Sequence, residues 1–165
     1  MVLYPAEFKC SKSLGKTLRH GPFATRVDQA FKATIRGCAA PRRSGPETWL
    51  NAEMIESYDR LHELGFGHSV ETYRGDRLVG GLYGIQLGQV FFGESMFSLE
   101  RDASKVALAR LVDECRARDI KLIDCQVASA HLAGLGAREV SRSQFATLLR
   151  QYASRVSAGK WVANP

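Results

Sequence analysis

Three runs, Ser69-Val70-Glu71-Thr72-Tyr73, Leu78-Val79-Gly80-Gly81-Leu82-Tyr83-Gly84-Ile85 and Gln89-Val90-Phe91-Phe92, follow one another closely, with turns at Gly75-Asp76 and Leu87-Gly88. Apolar, β-branched and aromatic residues at period two, punctuated by glycine turns, predict three antiparallel strands in a meander. Outward from the meander the period changes. Upstream, Met54, Ile55, Tyr58, Leu61 and Leu64 at 3/4 spacing predict a helix stopped by Gly65. Before it, an amphipathic segment from about Asp28 carries Ala30, Phe31, Ile35 and Cys38 and ends in the basic loop Ala40–Pro46. Downstream, a helix from about Ala103 to Arg118 turns Val106, Leu111 and Cys115 inward, and a short buried strand, Ile120–Gln126, follows. A turn of helix near His131, a brief strand Arg138–Ser141 and a last helix opened by the capping box Ser141-x-x-Gln144 complete the chain, the last burying Phe145, Leu148, Leu149 and Tyr152. Residues 1–22 show no clear periodicity, and Pro5, Gly15, Gly21 and Pro22 break up any helix there. The succession predicts an α+β fold, helices covering a mixed, mostly antiparallel sheet.

The 165 residues suit one domain, with 51–165 as its core and 1–50 as a basic segment packed on it. The net charge of +6 is carried by residues 1–50 alone, since 51–165 hold as many acids as bases. Lys9, Lys12, Lys16, Arg19, Arg42 and Arg43 in that segment point to a polyanionic partner. Several function classes drop out. The four cysteines form no C-x-x-C pair and have no histidines at zinc spacing, so no metal is expected. No secretory apolar region opens the chain, and no stretch approaches the roughly 18–20 apolar residues that span a bilayer. A cytoplasmic protein with reduced thiols, away from membranes and monomeric, is the expectation.

Two places can carry chemistry. Glu94, in Gly93-Glu94-Ser95, follows two phenylalanines at a predicted strand end, where partial desolvation would ready a carboxylate for proton chemistry or for holding a cation. Ser95 lacks the G-x-S-x-G elbow of a serine hydrolase. In Asp124-Cys125-Gln126, residues i and i+2 of a strand share a face, so Asp124 and Gln126 point together while Ile123, Cys125 and Val127 point away. An acid beside an amide at the exit of an apolar strand can polarise an incoming amine or hold a tetrahedral centre, or it can simply cap the next helix. A Cys125–His131 dyad follows from chain order alone and conflicts with that facing. His62 is placed on the surface, and His68 and His131 have no ligand-like spacing. Two runs, Arg77–Leu82 and His131–Ala137, approach the R/Q-x-x-G-x-G/A loop that cradles the pyrophosphate of acyl-CoA, each imperfectly. Gly80, Gly81 and Gly84 inside a strand predict bulges or the close approach of a ligand.

Six motifs in order, His68-Ser-Val-Glu71, Leu78-Val-Gly-Gly-Leu-Tyr-Gly84, Phe92-Gly-Glu-Ser-Met-Phe-Ser98, Ala103-Ser-Lys-Val-Ala-Leu108, Ile123-Asp-Cys-Gln126 and His131-Leu-Ala-Gly-Leu-Gly-Ala137, resemble those of bacterial leucyl/phenylalanyl-tRNA–protein transferases. Met1-Val-Leu-Tyr-Pro5, Ser13–Leu18 and Thr48-Trp-Leu50 fit the same family. The resemblance implies an acetyltransferase-like (GNAT-type) domain that uses aminoacyl-tRNA in place of acyl-CoA and no cofactor. It implies transfer of Leu, Phe or Met to a protein whose N-terminal residue is Arg or Lys, marking that protein for degradation. Asp124 and Gln126 match the family's catalytic pair and Glu94 its active-site glutamate. Trp49, Leu82, Phe91, Met96 and Ile123 match positions around the pocket for the aminoacyl side chain, and the basic residues named above would meet tRNA. Family members carry a further N-terminal domain that helps to hold the terminal adenosine, and nothing in this sequence corresponds to it. An acyl-CoA-dependent N-acyltransferase and a silent tRNA- or peptide-binding remnant are the alternatives.

Overall fold

The computed structural model describes residues 1–40, 50–154 and 159–161. The predicted meander forms as β3 (Gly67–Arg74), β4 (Arg77–Leu87) and β5 (Val90–Ser98). Gly75 and Gly88 take φ of 58° and 57° at the two turns, a left-handed backbone that glycine adopts without cost. The chain adds β1 (Val2–Leu3) and β2 (Ala24–Val27) before the meander and β6 (Leu122–Asp124) after it. The six strands lie in the order β1-β6-β5-β4-β3-β2, and every pairing is antiparallel except β5 with β6. A parallel pair needs a long crossover, here α4 (Ala103–Ala117).

Helices cover both faces. On one face α4 packs Val106, Leu111 and Val112 against Val70, Leu82, Phe91 and Ile123, with Leu14 of α1 (Lys12–His20) and Trp161 joining them. On the other, Phe31, Ile35 and Cys38 of α2 (Phe31–Ala39) meet Tyr83, and Met54, Ile55 and Tyr58 of α3 (Ala52–Glu63) pack beside them. A third cluster joins Val2, Val90 and Leu122 to Phe145, Leu148, Leu149 and Tyr152 of α6 (Arg142–Tyr152). Its predicted capping box is present: Ser141 accepts from the Gln144 N–H and the Gln144 side chain accepts from the Ser141 N–H. A short α5 (Ala130–Gly134) occupies the turn near His131.

Four expectations change. Residues 1–22 contain α1, which runs through Gly15 because Ser11 caps it, accepting from the Leu14 N–H at 3.1 Å, and because Leu14 buries into the core. That burial, about 1.5–3 kcal/mol, outweighs about 1 kcal/mol of glycine propensity. The strand expected at 138–141 shrinks to a single bridge between Val2 and Arg138, since Ser141 already turns the chain into α6. Gly80 and Gly84 do stand at register shifts of the ladder, as the bulge reading predicts, but the close approach is made by the protein itself: a Cβ at Gly80 would lie 2.7 Å from the Ala103 Cβ, and one at Gly84 2.2 Å from the Phe92 carbonyl. Finally, β5 continues well beyond Phe92, so Glu94 lies inside a strand.

Candidate active site

The parallel ladder between β5 and β6 ends at the pair Phe92–Asp124, whereas β5 runs on to Ser98. Past that point the two strands part. The opening is a cavity of about 380 Å³ whose body is apolar and whose mouth is polar. Of the residues predicted around an aminoacyl pocket, Leu82, Phe91, Met96 and Ile123 all line it. Leu108 and Leu111 of α4 and Leu132 of α5 line it as well; their sequence signal, an apolar helical face, is the same for cavity wall and for core. Trp49, Arg42 and Arg43 lie outside the described residues.

Glu94, Asp124 and Gln126 converge on the mouth, each by a different local device. In the β4–β5 register Gly84 faces Gly93 and Tyr83 faces Ser95, so Glu94 is the extra residue of a β-bulge. A bulge takes one residue out of the ladder and re-aims its side chain. The half-buried Glu94 carboxylate accepts a hydrogen bond from the Tyr58 hydroxyl of α3 at 3.0 Å. Asp124 ends β6, and its Oδ1 accepts from the Gln126 N–H at 2.9 Å. Gln126 has φ of 57°, a left-handed conformation uncommon for a side-chain-bearing residue and found at sites where the surroundings enforce it. One such enforcement comes from the residue before β1: the Met1 carbonyl accepts from the Cys125 N–H at 2.9 Å.

This turn corrects the facing predicted for the segment. Strand alternation stops at Asp124, so Cys125 and Val127 line the same cavity as Asp124 and Gln126. Cys125 is still no nucleophile: burial and the Asp124 charge push its thiol up to about 11. His131 also lines the cavity, and burial together with Lys105 lowers its pKa, which favours the neutral imidazole. The other two histidines considered are structural. His68 is buried, its Nδ1 2.8 Å from Asp28 Oδ2 and its ring stacked on Trp161. His62, expected at the surface, is half-buried and stacks on Phe31.

Of the basic residues predicted to meet a polyanion, three fall on α1. Lys12, Lys16 and Arg19 are exposed along a groove of α1, Lys9 precedes them, and none pairs with an acid among the described residues. α1 packs on α4, whose Leu108 and Leu111 line the cavity.

A model of the family "leucyl/phenylalanyl-tRNA protein transferase" matches residues 2–150. The chain belongs to that family. It is 50% identical over 162 residues to the leucyl/phenylalanyl-tRNA–protein transferase of Nitrosospira multiformis, covering 98% of this chain and 70% of that protein. To the enzyme of the same name from Stutzerimonas stutzeri it is 47% identical, again over 98% of this chain and 72% of the relative. Among solved structures, an aminoglycoside acetyltransferase from an uncultured soil sample superposes with a TM-score of 0.52 at 10% identity, covering 88% of this chain and 99% of that one. The family and the acetyltransferase-like fold expected from the motifs are therefore both met. Among the described residues no helix is long and apolar enough to cross a membrane.

Proposed function

We propose that the chain transfers Leu, Phe or Met from aminoacyl-tRNA to the N-terminal Arg or Lys of an acceptor protein, so tagging it for degradation. One observation carries the reading: an apolar cavity opens between parting strands onto Glu94, Asp124 and Gln126. The aminoacyl side chain fills the cavity, which leaves its ester carbonyl at the mouth beside Gln126. The acceptor's α-amine, held by Glu94, attacks that carbonyl carbon. An amide bond forms, the ester C–O bond breaks, and the amine's proton passes by way of the Asp124–Gln126 pair to the departing ribose oxygen. The ester is already activated, so the step requires neither nucleotide hydrolysis nor a metal. Lys9, Lys12, Lys16 and Arg19 meet the phosphates of the acceptor stem, an attraction that weakens steeply with salt.

Transfer from acyl-CoA is the second reading, and the loop before α4 speaks against it. A pyrophosphate cradle needs glycine backbones at a helix N-terminus. Here the loop is Leu99-Glu100-Arg101-Asp102, with Glu100 taken by Arg74 and Arg77. In the run His131–Ala137, Gly136 has φ of 102° and a Cβ there would lie 2.7 Å from the Glu7 carbonyl, so this glycine seats the N-terminal segment.

The test is transfer of labelled Phe from Phe-tRNA to an Arg-starting peptide. We expect Asp124→Ala and Gln126→Ala each to lower kcat/KM by about a hundredfold, the scale of a lost transition-state hydrogen bond. Full activity in both variants would refute the mechanism, and acetyl-CoA-dependent labelling of the peptide in its place would favour the second reading.

A further inference from the structure

The reaction assigned above asks one carboxylate, Glu94, to hold a cationic acceptor, yet Glu94 stands on a bulge, where the ladder does not fix it. Its side chain has three rotatable bonds. Among the described residues one hydrogen bond restrains it. Tyr58, reaching down from α3, donates its hydroxyl to Glu94 Oε2 at 3.0 Å. The other carboxylate oxygen has no partner among the described residues. The Tyr58 ring is fixed in turn. It lies edge-on to Tyr83, with centroids 5.1 Å apart and planes at 76°, and Tyr83 is fully buried on the strand opposite the bulge.

We infer that Tyr58 is a positioning residue for the acceptor: it holds one oxygen of Glu94 so that the other is presented to the cationic N-terminal residue of the incoming chain. The inference rests on the acceptor role given to Glu94 in the proposed function. The phenol suits the task because burial and the adjacent Glu94 charge both raise its pKa, so it stays protonated and keeps donating. It also explains why the site draws on α3 at all. The apolar cavity is built from β4, β5, β6, α4 and α5, and Tyr58 is the contact by which α3 reaches its polar mouth.

The geometry separates this role from simple packing. Tyr58→Phe keeps the ring and its edge contact with Tyr83 and removes the hydroxyl that donates to Glu94. If Tyr58 acts through Glu94, its loss matters only while Glu94 is a carboxylate. The experiment measures binding of an Arg-starting peptide by calorimetry without tRNA, in four proteins: wild type, Tyr58→Phe, Glu94→Gln and the double variant. An N-acetylated copy of the peptide is the control. We expect Tyr58→Phe to weaken peptide binding about tenfold in the wild-type background and by less than about twofold in Glu94→Gln, the mark of coupled residues. In the transfer assay the acceptor KM should rise with it, while the KM for Phe-tRNA and the melting temperature stay unchanged. Equal weakening in both backgrounds, no weakening in either, or wild-type protein that binds the free and acetylated peptides alike would overturn the inference. Because the binding measurement needs no transfer, an absence of transfer with intact coupling would count against the proposed function and leave the role of Tyr58 standing.

Discussion

Two neighbouring parts of one sheet behave in opposite ways. From β3 to β5 the ladder is nearly continuous, from Gly67–Ile85 to Arg74–Arg77 and from Leu87–Val90 to Gly80–Ser98. Between β5 and β6 it stops after three pairs. In the continuous part, residues with little room are glycines and the gaps between strands are closed. In the parting strands the backbone departs from regular β structure on both sides of the gap, by the bulge at Glu94 and the left-handed turn at Gln126. The gap is thus bordered on both strands by irregular backbone, and there polar groups leave the ladder to face a common space. A small-to-large substitution should thus have a different outcome in each part: lost stability in the ladder, altered chemistry in the gap.

The largest effect is expected in the ladder. A Cβ at Gly84 would stand 2.2 Å from the Phe92 carbonyl and 2.5 Å from the Phe91 ring, neither of which can retreat without breaking the β4–β5 register. Gly84→Val should cost about 3 kcal/mol, lowering Tm by about 9 °C for a chain of this size, as read by calorimetry. A variant melting with the wild type would show that the register yields more easily than the geometry indicates. The matching change in the gap is Leu111→Phe. Leu111 is buried, but it faces the cavity, so a larger ring finds space. Tm should move by less than about 3 °C, while transfer of Phe relative to Leu falls about tenfold through lost room. An unchanged Phe-to-Leu ratio would remove Leu111 from the specificity wall.

The same contrast governs how much could be read from the sequence. The meander, α3, α4 and α6 announce themselves through local periodicity and glycine turns, because each is long enough to show its period whatever it packs on. The edge strand β1 does not. It is two residues long, too short for a period, and it pairs Val2 with Asp124 at the far end of the chain. Asp124, Gln126 and Glu94, singled out by residue type and order, do line one cavity. The geometry there was not legible. Nothing in Phe92-Gly93-Glu94-Ser95 marks a bulge, and nothing in Asp124-Cys125-Gln126 shows that alternation ends at the first of them. Nothing in the sequence marks Leu108, Leu111 and Leu132 as cavity lining, because a cavity wall and a packed core select the same side chains.

The smallest expected effect concerns an exception inside the ladder. Glu71 on β3 is fully buried between β2 and β4, where it accepts from the Ser69 hydroxyl and the Ala30 N–H. Its second oxygen has no hydrogen-bond partner among the described residues. Burial, and secondarily the nearby Asp28, raise its pKa, although the Ser69 and backbone hydrogen bonds pull the other way. A carboxyl whose folded pKa lies above its unfolded one binds its proton more tightly in the native state. Its contribution is present at pH values below the unfolded pKa and is lost as the pH climbs from there through the raised folded value. Glu71→Gln keeps an amide oxygen for the Ser69 hydroxyl and removes the titration. The wild-type melting temperature should therefore fall more steeply than that of Glu71→Gln between about pH 4.5, near the unfolded carboxyl range, and neutrality. Parallel profiles would mean that Glu71 remains ionised in the fold. The paired ladder would then tolerate a buried charge that its geometry gives no means to satisfy.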